Sequence, residues 1–425
     1  MKRTARPQLE RRRSAGVAAL LATSLTSVLL LFGCSGGSGP LTSAPAPRNP
    51  GGADATPSPS SSPGPSALIY VSNTSEAAAT GSAAIVAFPL ATGGNITPVK
   101  TIAGAGTQLI TPNVMTFDSN GNLYVANESN PYNNPYGDYI TVYPPGSNGN
   151  VAPSRIIRGG NADFSATSLT AIAVDSDGYL YVSEDTSSEN CTSTSSSTCT
   201  ATANDTILVF APGANGNVAP VRTINSNSCF EIGGMAVLPS NDLAVACMPP
   251  SYPAAPYSIY RERNTASIRP MDESQNIAEI VTFADGASGN ATPINVITGS
   301  NTDMSWAGAL ALSPQGTLLV APQSPSEVNP SILGFPDSAS GNVAPSLDIT
   351  GSQTQLNVIH LAVDSSGTIY ALDSANGSGN LTITEYPSSS TGNVAPAYTI
   401  AGSNTTLTCP QGSSVCAGGI AIGPP

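Results

Sequence analysis

Residues 171–182 run Ala171-Ile172-Ala173-Val174-Asp175-Ser176-Asp177-Gly178-Tyr179-Leu180-Tyr181-Val182. Two short apolar runs flank an Asp- and Gly-rich centre, which reads as strand, tight turn, strand. Close relatives of this stretch occupy 114–125 and 360–372, and looser ones 235–245 and 309–320. Self-similarity at a recurring interval is the mark of a repeat architecture.

A second element alternates with the first. Gly-Asn-x-(Ala/Thr)-Pro occurs six times, beginning at Gly94, Gly149, Gly216, Gly289, Gly341 and Gly392, at spacings of 55, 67, 73, 52 and 51 residues. Each copy lies between two apolar runs, as Ile207-Leu208-Val209-Phe210 and Val221-Arg222-Thr223-Ile224 show. Gly and Asn tolerate positive φ, so the element is expected to make a tight reversal. Pro is expected at the start of the next strand, where a missing N–H is harmless. One unit then holds four antiparallel strands, A to D, the sheet of a propeller blade. Five units begin near residues 114, 171, 234, 308 and 358. The sixth is split. Strands B, C and D come from residues 67–102, and Gly418-Gly419-Ile420-Ala421-Ile422 supplies strand A. The expected fold is all-β, a six-bladed β-propeller closed by its C-terminal strand, an arrangement that completes the split blade and buries both of its free edges, since open edges invite aggregation.

The 171–182 pattern resembles NHL repeats and the wider group of six-bladed propellers that includes SMP-30/gluconolactonase-like (TolB-like) proteins. The resemblance covers nearly all of 67–425. It implies the fold, but that group holds both enzymes and binding modules. A gluconolactonase-like member implies a metal-dependent hydrolase or lyase. A binding or scaffold module is the other reading, and the preferred one.

The N-terminus reads as a bacterial export signal. Lys2, Arg3, Arg6 and Arg11 to Arg13 precede an apolar stretch that ends at Leu31-Phe32-Gly33-Cys34. This resembles a lipobox, with Cys34 as the residue that takes a thioether-linked lipid. Residues 35–66 hold 8 Ser, 8 Pro and 6 Gly, a composition suited to a tether. The expected domains are a signal peptide (1–33), a lipidated cysteine and tether (34–66) and the propeller (67–425). Removing 1–33 leaves 8 basic and 26 acidic residues, a net charge of −18. That charge opposes nucleic acid. The expected protein is a monomer, lipid-anchored in the cell envelope outside the cytoplasm, with a protein or carbohydrate partner.

Six cysteines remain after Cys34, in three local pairs: Cys191/Cys199, Cys229/Cys247 and Cys409/Cys416. Local disulfides suit an exported chain. Zinc is the rival use, but there is no Cys-x-x-Cys and His360 is the sole histidine.

Strand alternation puts A–B and C–D turns on one face and the B–C and D–A connections on the other. The second set is irregular in length, and divergent loops on a rigid frame usually carry specificity. The 248–276 loop supplies Tyr257, Tyr260, Arg261 and Arg263, a set that fits a clamp for a polar ligand and equally a solvated insertion that pairs its own charges. Trp306 fits either ligand stacking or packing against the next blade. Asn127, Glu128, Glu184, Asp185 and Asp373 fall at B-strand ends, where oxygen ligands suit Ca²⁺ or hydrated strand termini. No cofactor is otherwise expected. His360 is the one imidazole available as a neutral-pH acid or base, or as a packed core residue.

Overall fold

The computed structural model describes residues 67–73, 83–128, 137–164, 169–184, 189–191, 199–201, 205–225, 229, 231–248, 278–322, 330–374, 380–407 and 418–425. They form six four-stranded antiparallel sheets arranged as a six-bladed β-propeller. Blade I takes strand A from Ile420–Gly423 and strands B to D from Leu68–Asn73, Ala84–Pro89 and Lys100–Ala103. Blades II to VI begin with A strands Pro112–Phe117, Leu169–Val174, Glu231–Val237, Leu310–Leu312 and Val358–Val363. The expected closure is present: Ile69 pairs with Ile422 and Val71 with Ile420. A two-stranded hairpin, Glu189–Cys191 with Cys199–Ala201, interrupts the B–C connection of blade III.

The core lies between blades. Six clusters of buried side chains fill the six interblade spaces. One C-strand position dominates them. Phe88, Tyr143, Phe210, Phe283, Phe335 and Tyr386 stand there in blades I to VI, and all six are completely buried. Each pairs with a B-strand leucine or isoleucine. The two tyrosines bury their hydroxyls without loss, because Tyr143 donates to the Thr107 carbonyl (2.6 Å) and Tyr386 to the Thr354 carbonyl.

The Asp-x-x-Gly turn is decided by its aspartate. Asp175 Oδ1 accepts from the N–H groups of Asp177 and Tyr179, and its Oδ2 accepts from the Tyr181 hydroxyl. Asp364 does the same with Ser366, Thr368 and Tyr370. The carboxylate therefore closes its own turn and fixes the first residues of strand B.

The Gly-Asn-x-x-Pro element differs from its expected role. The reversal itself comes just before it, for example where Ser147 N–H donates to the Pro144 carbonyl. The glycine then forms a parallel bridge with the D strand of the preceding blade, at all six joints: Gly94 with Ile400, Gly149 with Ile102, and so on round the ring. The glycines have positive φ and the asparagines do not. Instead, the asparagine side chain reaches the D–A connection of that preceding blade. Asn342 Oδ1, for example, accepts from Asn301 N–H at 2.7 Å. Asn150, Asn217, Asn393 and Asn95 repeat this contact. The element is a clasp between blades.

Candidate functional site

All six A strands surround the axis, and each is the terminal strand of its sheet. They enclose a channel of about 310 Å³. Its lining residues are mostly Ala, Val, Ile, Leu, Met and Gly, and include no Asp, Glu, Lys or Arg. His360 is the one ionisable lining side chain apart from these types. By register it corresponds to Val114, Ala171, Gly234, Ala309 and Gly419, so five blades carry a small residue where blade VI carries an imidazole. His360 is half-buried, and its Nε2 is closed off from solvent without a hydrogen-bond partner. Burial pulls its pKa down to about 4, so the ring is neutral at pH 7.

The B-strand ends have a common task. Counted from the B-strand leucine or isoleucine that pairs with the C-strand aromatic, the fifth position reads Asn73, Asn127, Glu184, Cys247, Pro322 and Asp373. Asn73 donates to the Thr406 carbonyl. Asn127 Oδ1 accepts from Ile110 N–H, and its Nδ2 donates to Thr141. Asp373 accepts from Asn357 N–H (2.7 Å) and from the Thr384 hydroxyl (2.6 Å). In blade IV the same position makes the Cys229–Cys247 disulfide, with both cysteines fully buried. In each of these four blades the residue staples the incoming D–A connection to strand B.

This use of the oxygens does not fit a metal site. Asn127 and Asp373 spend theirs on loop N–H groups, and Asp373 also on the Thr384 hydroxyl. Glu128 is drawn aside by Asn113, whose Nδ2 donates to it at 2.7 Å. Glu184 is buried inside blade III. Among the described residues, no three His, Cys, Asp or Glu side chains stand together in a group able to hold a metal ion.

Trp306 is placed in the core. It is only 5% exposed and packs between blades IV and V with Met304, Leu318 and Phe335, so its ring is not open to a stacked ligand. Cys191 and Cys199 are direct backbone partners in the blade III hairpin. Tyr257, Tyr260, Arg261, Arg263, Asp185, Cys34, Cys409 and Cys416 lie outside the described residues.

No family model matches the chain, and no curated protein matches it by sequence. It is similar to several solved structures. One is a periplasmic gluconolactonase from Pseudomonas aeruginosa, 15% identical, covering 84% of this chain and 99% of that one, with a TM-score of 0.47. Another is a Bacteroides caccae protein of unknown function, 9% identical over 84% and 99% of the two chains, TM-score 0.46. A Lactobacillus plantarum protein is 11% identical over the same shares, TM-score 0.43. At these identities the likeness is one of fold.

Two oppositely shifted groups of blade VI, Asp373 and His360, predict a pH experiment. Burial raises Asp373 to about 6, against an ordinary 3.8, despite its two hydrogen bonds. A raised folded pKa gives stability that is present below about 4 and lost as pH rises through 6. His360 is lowered from 6.5 to about 4, so its contribution is lost as pH falls through the same range. The two slopes oppose each other, so their contributions largely cancel in the wild type between pH 4 and 6. Asn127 shows that asparagine can fill the Asp373 position. Urea titrations of Asp373→Asn should therefore expose the histidine slope, a loss on the order of 2–3 kcal/mol from pH 6.5 to 4. His360→Gln should show the reverse slope. Parallel profiles for both variants would contradict the assignment.

Proposed function

We propose that this chain is a membrane-tethered binding or scaffold module outside the cytoplasm, anchored through Cys34 and engaging a protein or carbohydrate partner through the B–C and D–A connections. The observation that carries the reading is the stapled loop base. Asn73, Asn127, Asp373 and the Cys229–Cys247 disulfide fix the D–A connections to the strand ends, which makes a rigid rim for loops of unequal length. Among the described residues, Asn73, Asn127 and Asp373 are occupied in holding that face together. Tyr257, Tyr260, Arg261 and Arg263 are the proposed contact residues, since aromatic and guanidinium groups supply most binding energy at such surfaces. The charge of −18 directs the module away from nucleic acid.

Replacing residues 251–270 with a Gly/Ser linker is expected to reduce binding at least tenfold. The assay is a glycan array together with crosslinking to envelope proteins. An equivalent replacement of the exposed A–B turn 239–241 should leave binding intact. Cys34→Ser should move the chain from the membrane to the soluble fraction and stop incorporation of labelled palmitate. Binding that follows the A–B turn and ignores the loop would refute the reading.

A further inference from the structure

We propose that the central channel is a second binding site, selective for a small neutral hydrogen-bonding molecule of polyol or amide type, with His360 as its side-chain contact. The wall decides the class. About 310 Å³ is far more room than one water requires. Each A strand is paired on one side only, so the backbone N–H and C=O groups of its other edge line the axis. These groups favour hydroxyls and amides, which both donate and accept.

Ions are poorly served. The lining offers a cation no carboxylate. Asp373, a buried acid of the same blade, sits on the neighbouring strand beside Leu372, the register partner of His360. Successive strand residues face opposite ways, and the Asp373 carboxylate is held by Asn357 and Thr384. An anion would meet an imidazole that is uncharged at neutral pH. Of the other polar lining side chains, Thr170 is engaged with Ser183.

His360 has capacity to spare. A buried ring nitrogen without a partner is costly and calls for an explanation. His360 is half-buried and lines the channel, and a flip about χ2 exchanges the positions of Nε2 and Cε1. A hydroxyl or amide entering from the axis can then meet the imidazole in either tautomer. The five corresponding residues, Val114, Ala171, Gly234, Ala309 and Gly419, carry no side-chain hydrogen-bonding group, so the imidazole is the one such group at this level of the channel.

The sole histidine makes the test direct, because the ¹⁵N-labelled imidazole gives one set of signals. The purified chain is titrated with glycerol, D-glucose and acetamide, and with acetate and methylammonium as charged controls. A saturable shift of the His360 signals with at least one neutral probe, and none with the charged ones, is expected. Calorimetry should show that His360→Leu weakens that probe at least fivefold, while His360→Gln stays within about twofold of wild type. The proposal is overturned by non-saturating shifts for every neutral probe, by charged probes that bind equally well, or by unchanged affinity in His360→Leu. Replacement of 251–270 should not alter channel binding, so failure of the loop-face reading and failure of this one are distinguishable.

Discussion

A chain ending at Ala417 is expected to aggregate, or to melt without cooperativity, although it loses only eight residues. The lost segment is strand A of blade I. Its removal strips Leu68, Ile69, Tyr70 and Val71 of their partners on one side and turns an interior strand into an open edge. Ser72 N–H loses the Gly419 carbonyl, and the Tyr70 hydroxyl loses that of Pro424. Ile420 and Ala421 are buried in two different interblade cores, those joining blade I to blades VI and II, so both spaces open at once. Burial of one isoleucine side chain is worth about 1.5–3 kcal/mol, and with the unmet backbone groups the loss reaches roughly 5 kcal/mol or more. That is a large part of the 5–15 kcal/mol typical of a folded domain. Moving residues 418–423 in front of Leu68 through a short Asp-x-x-Gly turn should restore solubility, since it turns the split blade into a continuous one. A truncated chain with a wild-type urea midpoint would show that ring closure contributes little.

The ring was legible in the sequence because its signals are local. Asp175 to Gly178 announces a turn by residue type alone, and the A-strand residues 420–422 repeat the pattern of the other inner strands. The partner of a side chain is not local. Nothing near Asn127 or Asp373 in sequence distinguishes a metal ligand from a loop staple; that depends on Ile110 N–H and Asn357 N–H arriving from the D–A connections. The distinction was nevertheless within reach. Aligning B-strand ends places Cys247 in the same column as Asn127 and Asp373, and a disulfide in that column points to stapling. Trp306 follows the same logic, since an aromatic in a connection reads alike whether it faces solvent or the next blade. The C-strand aromatic column, Phe88 to Tyr386, was visible in the repeat and marks the deepest part of each interblade core.

The clasp between blades supplies the second large effect. Gly299 has φ +118° and ψ 171°, a region in which side chains are strongly disfavoured. A Cβ there would lie 2.6 Å from Asn342 Cγ and Oδ1 and 2.8 Å from its Cβ, so the whole asparagine would have to move. Moving it breaks the Asn342–Asn301 hydrogen bond and disturbs the bridge between Gly341 and Ile297. Strain of about 1–3 kcal/mol and a lost hydrogen bond of about 1 kcal/mol together place Gly299→Ala near 3 kcal/mol. Asn342→Ala alone removes only the hydrogen bond, about 1 kcal/mol. In the double variant the steric clash is gone and the strained φ remains, so its cost should fall clearly below the sum of the two singles. Four other joints repeat the geometry, at Gly104, Gly159, Gly351 and Gly402. At the III/IV joint Ser226 follows the D strand in place of glycine, and the Asn225–Asn290 side-chain contact is long at 3.5 Å. Strict additivity at Gly299 and Asn342, measured by urea unfolding, would mean that the two do not form one clasp.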